Sequence, residues 1–243
     1  MPAREGWKKL GAPSAILLGI VIFFSFDTPL TSLIGWGIVA GFLGTLALDS
    51  IRIPGYLLGY MPLDLPLRFG TMMLDIDKKL KLKMMSRVLS YVNEEVEKGR
   101  DVMEVTGGST GVPRLRVSEI RKLIGPALTT TAEENQVTIP RIRTLGYLWH
   151  YTNGISFGIA HAILFGRGSW LLTVAFGLLL ATVFLSILRL LIPPMRPGLK
   201  LPAVVILAHL AVILVLGTVT QTFISPDAEQ HSLLQILFTG LQI

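Results

Sequence analysis

The sequence predicts an all-α protein, a polytopic transmembrane bundle of about five spans with a cytoplasmic helical insertion and a short C-terminal interfacial helix. Hydrophobic residues make up 51% of the 243 residues and charged residues only 16%, whereas soluble proteins carry about a quarter charged residues. The mean hydropathy is +0.61. The apolar residues gather in runs of roughly 20, the length that crosses a bilayer core. This composition disfavours a single-domain soluble enzyme, a disordered chain and a collagen-like fibre.

Five segments are long and apolar enough to span. They run from Leu10 to Phe26, from Leu30 to Leu48, from Leu145 to Phe165, from Trp170 to Ile192 and from Leu201 to Phe223. The first follows basic residues, as a signal peptide would, but Asp27-Thr28-Pro29 offers no small-residue cleavage site. We therefore expect this segment to remain as a helix of the mature protein.

The distribution of Lys and Arg predicts the orientation of the spans. Basic residues are concentrated in the N-terminal tail, in the segment from Arg52 to Arg143, and in the turn that holds Arg196 and Lys200. The other turns hold only Arg167, and the tail after Phe223 holds none. Basic loops stay cytoplasmic. We expect a multi-pass protein of the cell membrane, with the N-terminus inside and the C-terminus outside.

This arrangement divides the chain into four predicted regions. Residues 1–49 form an N-terminal transmembrane hairpin, and residues 50–144 a basic helical segment in the cytoplasm or on the membrane surface. Residues 145–224 form a three-helix transmembrane unit, and residues 225–243 an extracytoplasmic amphipathic tail. Ser225-Pro226-Asp227 is a typical helix start, and the apolar residues after it are too few to span. The tail is expected in the outer interface or docked on the bundle.

Residues 50–144 themselves divide unevenly. Pro54 to Met73 is interrupted by Pro and Gly and is expected on the membrane surface. Asp75 to Val105 has apolar residues at helical spacing, and Val117 to Leu128 predicts one more short helix. Thr106 to Gly111 is Gly-rich but lacks the Lys-Ser or Lys-Thr of a phosphate-binding loop, which favours a linker.

The helix predicted from Asp75 begins with a cluster of lysines, Lys78, Lys79, Lys81 and Lys83. This end could lie on anionic lipid headgroups, where each basic residue contributes about 1 kcal/mol. Alternatively, the helix is an ordinary solvated one whose apolar stripe packs on its own protein. The sequence favours neither.

Three ionisable residues of the spans form the candidate site, Asp49, His150 and His209. The predicted topology places them on three helices at broadly similar cytoplasmic depth. A carboxylate with two imidazoles could relay protons or hold a divalent metal, and ionisable residues inside spans often mark functional sites. Alternatively, Asp49 ends its helix, His150 faces headgroups within an aromatic belt, and His209 bonds a carbonyl. His161 stands about three turns from His150 and is expected to be independent.

Small residues mark the expected helix contact. Gly37, Gly41, Gly44 and Thr45 lie on the second span, and Gly154 and Gly158 lie on the third. Small side chains let helix backbones approach closely. We therefore expect spans two and three to be in direct contact, which would bring Asp49 toward His150.

Two stretches carry a resemblance. Gly44-Thr45-Leu46-Ala47-Leu48-Asp49 ends the second span, and Leu145-Gly146-Tyr147-Leu148-Trp149-His150-Tyr151 begins the third, with Gly154, Phe157 and Gly158 after it. In these stretches the chain resembles uncharacterised prokaryotic polytopic inner-membrane protein families. The resemblance covers span two and its exit and then spans three to five. It implies a membrane helix bundle and the pairing of Asp49 with His150, and it implies no reaction.

Three classes of function remain open. The chain could be a structural or accessory bundle, alone as a homo-oligomer or as a subunit of a larger membrane complex. It could be a membrane enzyme or a metal or proton site protein that uses Asp49, His150 and His209. It could also be a small transporter or lipid-handling protein, although no internal repeat is present. The absence of Cys excludes thiolate chemistry. Nucleic acid is disfavoured because the basic residues adjoin the spans and are mixed with carboxylates.

Overall fold

The computed structural model describes residues 28–62, 64–99, 115, 117–191 and 199–240. Across these ranges the regular structure is helical and contains no β-strand, so the predicted all-α class is confirmed. The helices are α1 (Thr28–Leu57), α2 (Leu65–Met73), α3 (Asp77–Glu97), α4 (Val117–Glu134), α5 (Ile139–Phe165), α6 (Trp170–Leu191), α7 (Lys200–Phe223), α8 (Pro226–Glu229) and α9 (Leu233–Gly240).

Three of these helices have the length and apolar composition to cross a membrane. They comprise Pro29–Leu57 of α1, Trp170–Leu188 of α6 and Lys200–Phe223 of α7. They correspond to the second, fourth and fifth predicted spans. The first predicted span, Leu10 to Phe26, and the predicted Gly-rich linker lie outside the described residues.

The third predicted span lies within α5, which begins at Ile139 and ends at Phe165. Helix α5 is not among the three apolar helices. Its first two turns include Arg141 and Arg143, and His150 and Asn153 follow. These polar residues reduce the mean hydropathy of the helix. The described structure therefore supports a helical bundle with three candidate spans, and the count of five stays a prediction.

Helix α1 is longer than the sequence predicts. It continues past Asp49 through Pro54 and ends at Leu57, so the interrupted segment expected from Pro54 begins later. Gly59, two residues after the end of the helix, has a φ of +78°. The Tyr60 amide bonds the Gly55 carbonyl at 2.9 Å, and the Gly59 amide bonds the Tyr56 carbonyl at 3.0 Å. This is a Schellman ending, in which Gly takes the left-handed position.

The described residues fall into two compact units. The first comprises the described residues within Pro54–Tyr147 and Phe184–Val204. In it, α3 packs on α4 through a cluster of Val88, Val92, Leu115 and Ile120. Leu80 and Met84 on the same stripe of α3 are also buried. The stripe therefore packs on the protein itself, as one of the two alternatives predicted.

Two lysines at the start of α3 are also paired within this unit. Lys79 Nζ donates to Asn135 Oδ1 at 2.7 Å, and Lys83 forms an ion pair with Glu134 at the end of α4. Helix α4 extends six residues beyond the predicted end at Leu128. Contact of this surface with anionic lipid stays a prediction.

In the first unit, α2 and the start of α5 are in backbone contact. A Cβ on Gly70 would collide with the Ile142 carbonyl, and one on Gly146 would collide with the Pro66 carbonyl. Glycine at both positions therefore permits a close crossing. This crossing of α2 and α5 was not predicted from the sequence.

The second unit comprises residues 28–53, 148–183 and 205–240 of the described chain. Ala40, Leu216 and Val219 form a buried cluster that joins α1 to α7. A second cluster joins Leu33, Ala162, Ile224 and Ala228. Ser225 caps α8 by accepting a hydrogen bond from the Ala228 amide at 3.2 Å. The helix start predicted at Ser225 is confirmed, and α8 docks on the bundle.

Candidate polar site on helices α1 and α5

Asp49 and Arg52 lie on the same face of α1, three residues apart. Arg52 Nε donates to Asp49 Oδ1 at 2.8 Å, and the two side chains are 3% and 7% exposed. Residues at this spacing are neighbours on a helix surface. A buried carboxylate therefore has a guanidinium partner within its own helix.

Helix α5 contributes an imidazole and a phenol to the same carboxylate. His150 Nε2 lies 3.0 Å from Asp49 Oδ1, and the His150 side chain is 13% exposed. Tyr151 Oη donates to Asp49 Oδ2 at 3.4 Å, a long hydrogen bond. His150 Nε2 is the donor in its contact, because the carboxylate oxygen accepts. The pairing of Asp49 with His150 expected from the sequence is present in the structure.

His209 is placed differently from the predicted grouping. It lies on α7, is 8% exposed, and its Nδ1 donates to the Val205 carbonyl of the same helix at 2.8 Å. In the part of the chain that the structure describes, no three His, Asp or Glu side chains are close enough to hold a metal ion. The structure thus brings together Asp49 and His150 and does not add His209 as a third metal ligand.

His161 occupies a separate buried position on α5. Its Nε2 lies 3.0 Å from Thr173 Oγ1 of α6. The rings of Phe165 and Phe176 stand edge-on to it, with centroids 5.3 and 5.5 Å away. Its Nδ1 is buried without a hydrogen-bond partner among the described residues. His161 therefore connects α5 with α6 and lies between the rings of Phe165 and Phe176.

The predicted contact between the second and third predicted spans is confirmed at Gly37, Gly41, Gly154 and Gly158. A Cβ on Gly37 would stand 2.7 Å from Ile159 Cα, and one on Gly158 would stand 2.5 Å from Gly41 Cα. Gly37 and Gly41 are four residues apart and share one stripe of α1.

Gly44 does not belong to this contact. A Cβ there would meet Val212 of α7 at 3.4 Å, because Gly44 lies about 60° around the helix from Gly41 on the side away from Thr45, which lies about 40° the other way. Thr45, four residues after Gly41, occupies the stripe and contacts Gly154. The small-residue contact is therefore Gly37, Gly41 and Thr45 against Gly154 and Gly158.

Two members of the site, Arg52 and Tyr151, were not predicted from the sequence. Arg52 was treated as the start of a cytoplasmic segment, although its spacing from Asp49 is that of a helical ion pair. Tyr151 was assigned only to an aromatic belt. The signal for Arg52 was present in the sequence, whereas the position of Tyr151 depends on the rotation of α5.

The arrangement holds one buried negative charge, on Asp49, which the Arg52 guanidinium neutralises. Comparison with known proteins adds no assignment, since no protein-family model, curated protein or solved structure matches this chain.

Proposed function

We propose that the chain is a multi-pass protein of the cell membrane that serves as a structural or accessory helix bundle, as a homo-oligomer or as a subunit of a larger membrane complex. Three helices with spanning length and composition support the membrane location. The alternation of basic and non-basic turns supports a cytoplasmic N-terminus and an outer C-terminus. The proposal retains five spans.

One observation carries the structural role. The contact of α1 with α5 combines backbone approach at glycines with a polar network in which Asp49 is bonded by both Arg52 and His150. Removing one partner of a buried ion pair is costly, so such a network favours one register of the two helices. Defined helix contacts are what a scaffold requires.

Exposed apolar side chains support contact with lipid or with other subunits. Leu171 and Leu179 on α6 are 77% and 60% exposed, and Leu214 on α7 is 61% exposed. Large exposed apolar surfaces mark membrane or protein interfaces. These helices are therefore the expected sites of association.

The test is the assembly state of the full chain, extracted in a mild uncharged detergent and measured by native mass spectrometry. We expect a discrete species larger than one protomer. Leu179→Arg and Leu214→Arg should dissociate it, whereas Leu82→Arg, an exposed position on α3, should not. A protomer alone across a range of protein concentrations, in detergent and in native nanodiscs, would overturn the proposed role.

A second candidate function is supported by the contact between His150 Nε2 and Asp49 Oδ1 at 3.0 Å. An imidazole that donates to a buried carboxylate is an arrangement found at proton-binding sites. The protonation state of His150, followed by nitrogen NMR against pH, tests it. A titration that Asp49→Asn shifts supports proton binding at this pair. An imidazole that stays in one state from pH 5 to pH 9 contradicts it.

A further inference from the structure

A cavity of about 230 Å³ lies in the first unit, lined by the last turn of α1, by α2 and by the facing parts of α3 and α4. Its polar lining includes Tyr56, Asp64, Arg68 and Arg121, and its apolar lining includes Leu80 and Met84. The network of Asp49 and His150 does not take part in this cavity. Its lining holds two guanidinium groups, those of Arg68 and Arg121.

Arg68 is buried without full hydrogen bonding. Its side chain is 1% exposed. Its Nη1 reaches Thr71 Oγ1 at 3.4 Å, while Nε and Nη2 have no hydrogen-bond partner among the described residues. Asp77 lies 4.0 Å from Nη2, too far for a hydrogen bond. A buried charged group that lacks partners is costly, so an acceptor that reached Nε or Nη2 from the adjoining cavity would stabilise the group.

The charge state of Arg68 does not remove this requirement. Burial lowers the pKa of the Arg68 guanidinium below its ordinary value, and the Asp77 carboxylate opposes that effect. A guanidinium keeps its proton in proteins because its ordinary pKa is above about 12. Arg68 therefore contributes a buried positive charge to the lining of the cavity.

Arg121 supplies the second guanidinium from α4. Its central carbon stands 4.5 Å from the centroid of the Tyr56 ring. This cation–π contact holds the guanidinium group over the ring and does not require its N–H donors. A guanidinium group presents its N–H donors in a planar fork that suits the recognition of anions.

The lining favours an anion with several acceptor oxygens. Two arginines and one carboxylate, Asp64, give the charged lining residues a formal charge of +1. Two separate guanidinium groups need acceptors in more than one plane, which a phosphoryl group offers and a carboxylate does not. Arginine is over-represented where phosphate is recognised.

We propose that the cavity lined by Arg68 and Arg121 binds the phosphoryl group of an anionic ligand. The ligand is a phospholipid headgroup or a free phosphate ester, which share this chemistry. Tyr56 lies at the end of a helix that can span a membrane, and aliphatic side chains complete the lining, as a lipid would require. The inference does not depend on the structural role proposed above.

The experiment measures binding to the full chain in an uncharged detergent by isothermal titration calorimetry. Three probes separate the sources: dihexanoyl phosphatidic acid, inorganic phosphate, and dihexanoylglycerol, which has the same acyl chains and no phosphate. We expect the phosphatidic acid to bind and the diacylglycerol not to bind. Competition by inorganic phosphate identifies a site for free phosphate esters, and its absence identifies a lipid site.

Matched variants test the residues. Arg121→Gln should weaken binding at least about tenfold, as expected when a charge-assisted pair is lost. Lys122→Gln is the control, because it removes the same charge from the next position, which is exposed and does not line the cavity. This variant should leave binding unchanged within about twofold. Arg68→Met should abolish binding where the variant folds. Equal effects of Arg121→Gln and Lys122→Gln, or binding of the diacylglycerol as tight as that of the phosphatidic acid, would overturn the proposal.

Discussion

Replacing Gly41 by Ala should force α1 and α5 apart. The added Cβ would stand 2.7 Å from Ile155 Cα and would also collide with the Gly154 carbonyl oxygen. Both are backbone atoms, which cannot rotate away. Carbon atoms pack best about 3.5–4.0 Å apart, so the helices must separate locally by about 1 Å. Overpacking of this kind costs about 1–3 kcal/mol.

Gly35→Ala is the matched control on the same helix, because a Cβ there meets nothing within 4 Å. Alanine is the better helix former by up to about 1 kcal/mol. We therefore expect Gly35→Ala to be neutral or slightly stabilising, while Gly41→Ala lowers the free energy of unfolding despite the same gain in propensity. Gly41→Leu and Gly154→Leu should cost more, since a larger side chain separates the backbones further.

The measurement is thermal unfolding of both variants and the parent chain in the same lipid nanodiscs. From the overpacking cost, we expect Gly41→Ala to lower Tm by roughly 2–12 °C. Equal Tm values for Gly41→Ala and Gly35→Ala would refute the reasoning, because the two substitutions differ only in what surrounds the new methyl group.

Three further predictions follow from the same structure. Asp49→Asn should lower the free energy of unfolding by about 3–5 kcal/mol, because buried Arg52 loses its carboxylate. The double variant Asp49→Leu, Arg52→Leu should lower the free energy of unfolding, measured in denaturant, by less. An equal decrease for the two variants would contradict the ion-pair argument. Gln136→Gly should raise Tm by an amount that corresponds to about 1 kcal/mol, because Gln136 is exposed at a φ of 52° and glycine adopts that conformation without steric cost; a lower Tm would refute this. Reporter fusions after Lys98 and after His231 should report the cytoplasm and the outside, respectively, and the reverse pattern would refute the predicted orientation.

The contact between helices through glycine could be predicted from the sequence, because small residues four positions apart form a stripe along one side of a helix. The assignment of Gly37, Gly41, Thr45, Gly154 and Gly158 to this contact is confirmed. The assignment of Gly44 is not, since its contact with Val212 depends on how the face of α1 beside the stripe is covered. The crossing at Gly70 and Gly146 was missed because those glycines lie on helices of different predicted regions.

The polar site was only partly predictable. Asp49 and His150 were paired because two spans were expected to touch near their cytoplasmic ends, and the structure places His150 Nε2 at 3.0 Å from Asp49 Oδ1. His209 was grouped with them by depth alone. Depth along a helix is linear in sequence, whereas the direction of a side chain turns by about 100° with each residue.

The sequence by itself determined the helical class, three apolar helices of spanning length and the helix start at Ser225, because composition, hydropathy and capping are local properties of the chain. Only the tertiary structure decided that α1 continues through Pro54, that Asp49 is bonded by both Arg52 and His150, and that Arg68 is buried beside a cavity. The contact of Asp49 with His150 and the burial of Arg68 depend on which faces of separate helices meet. Contacts between residues far apart in the sequence are set by the packing of the whole fold.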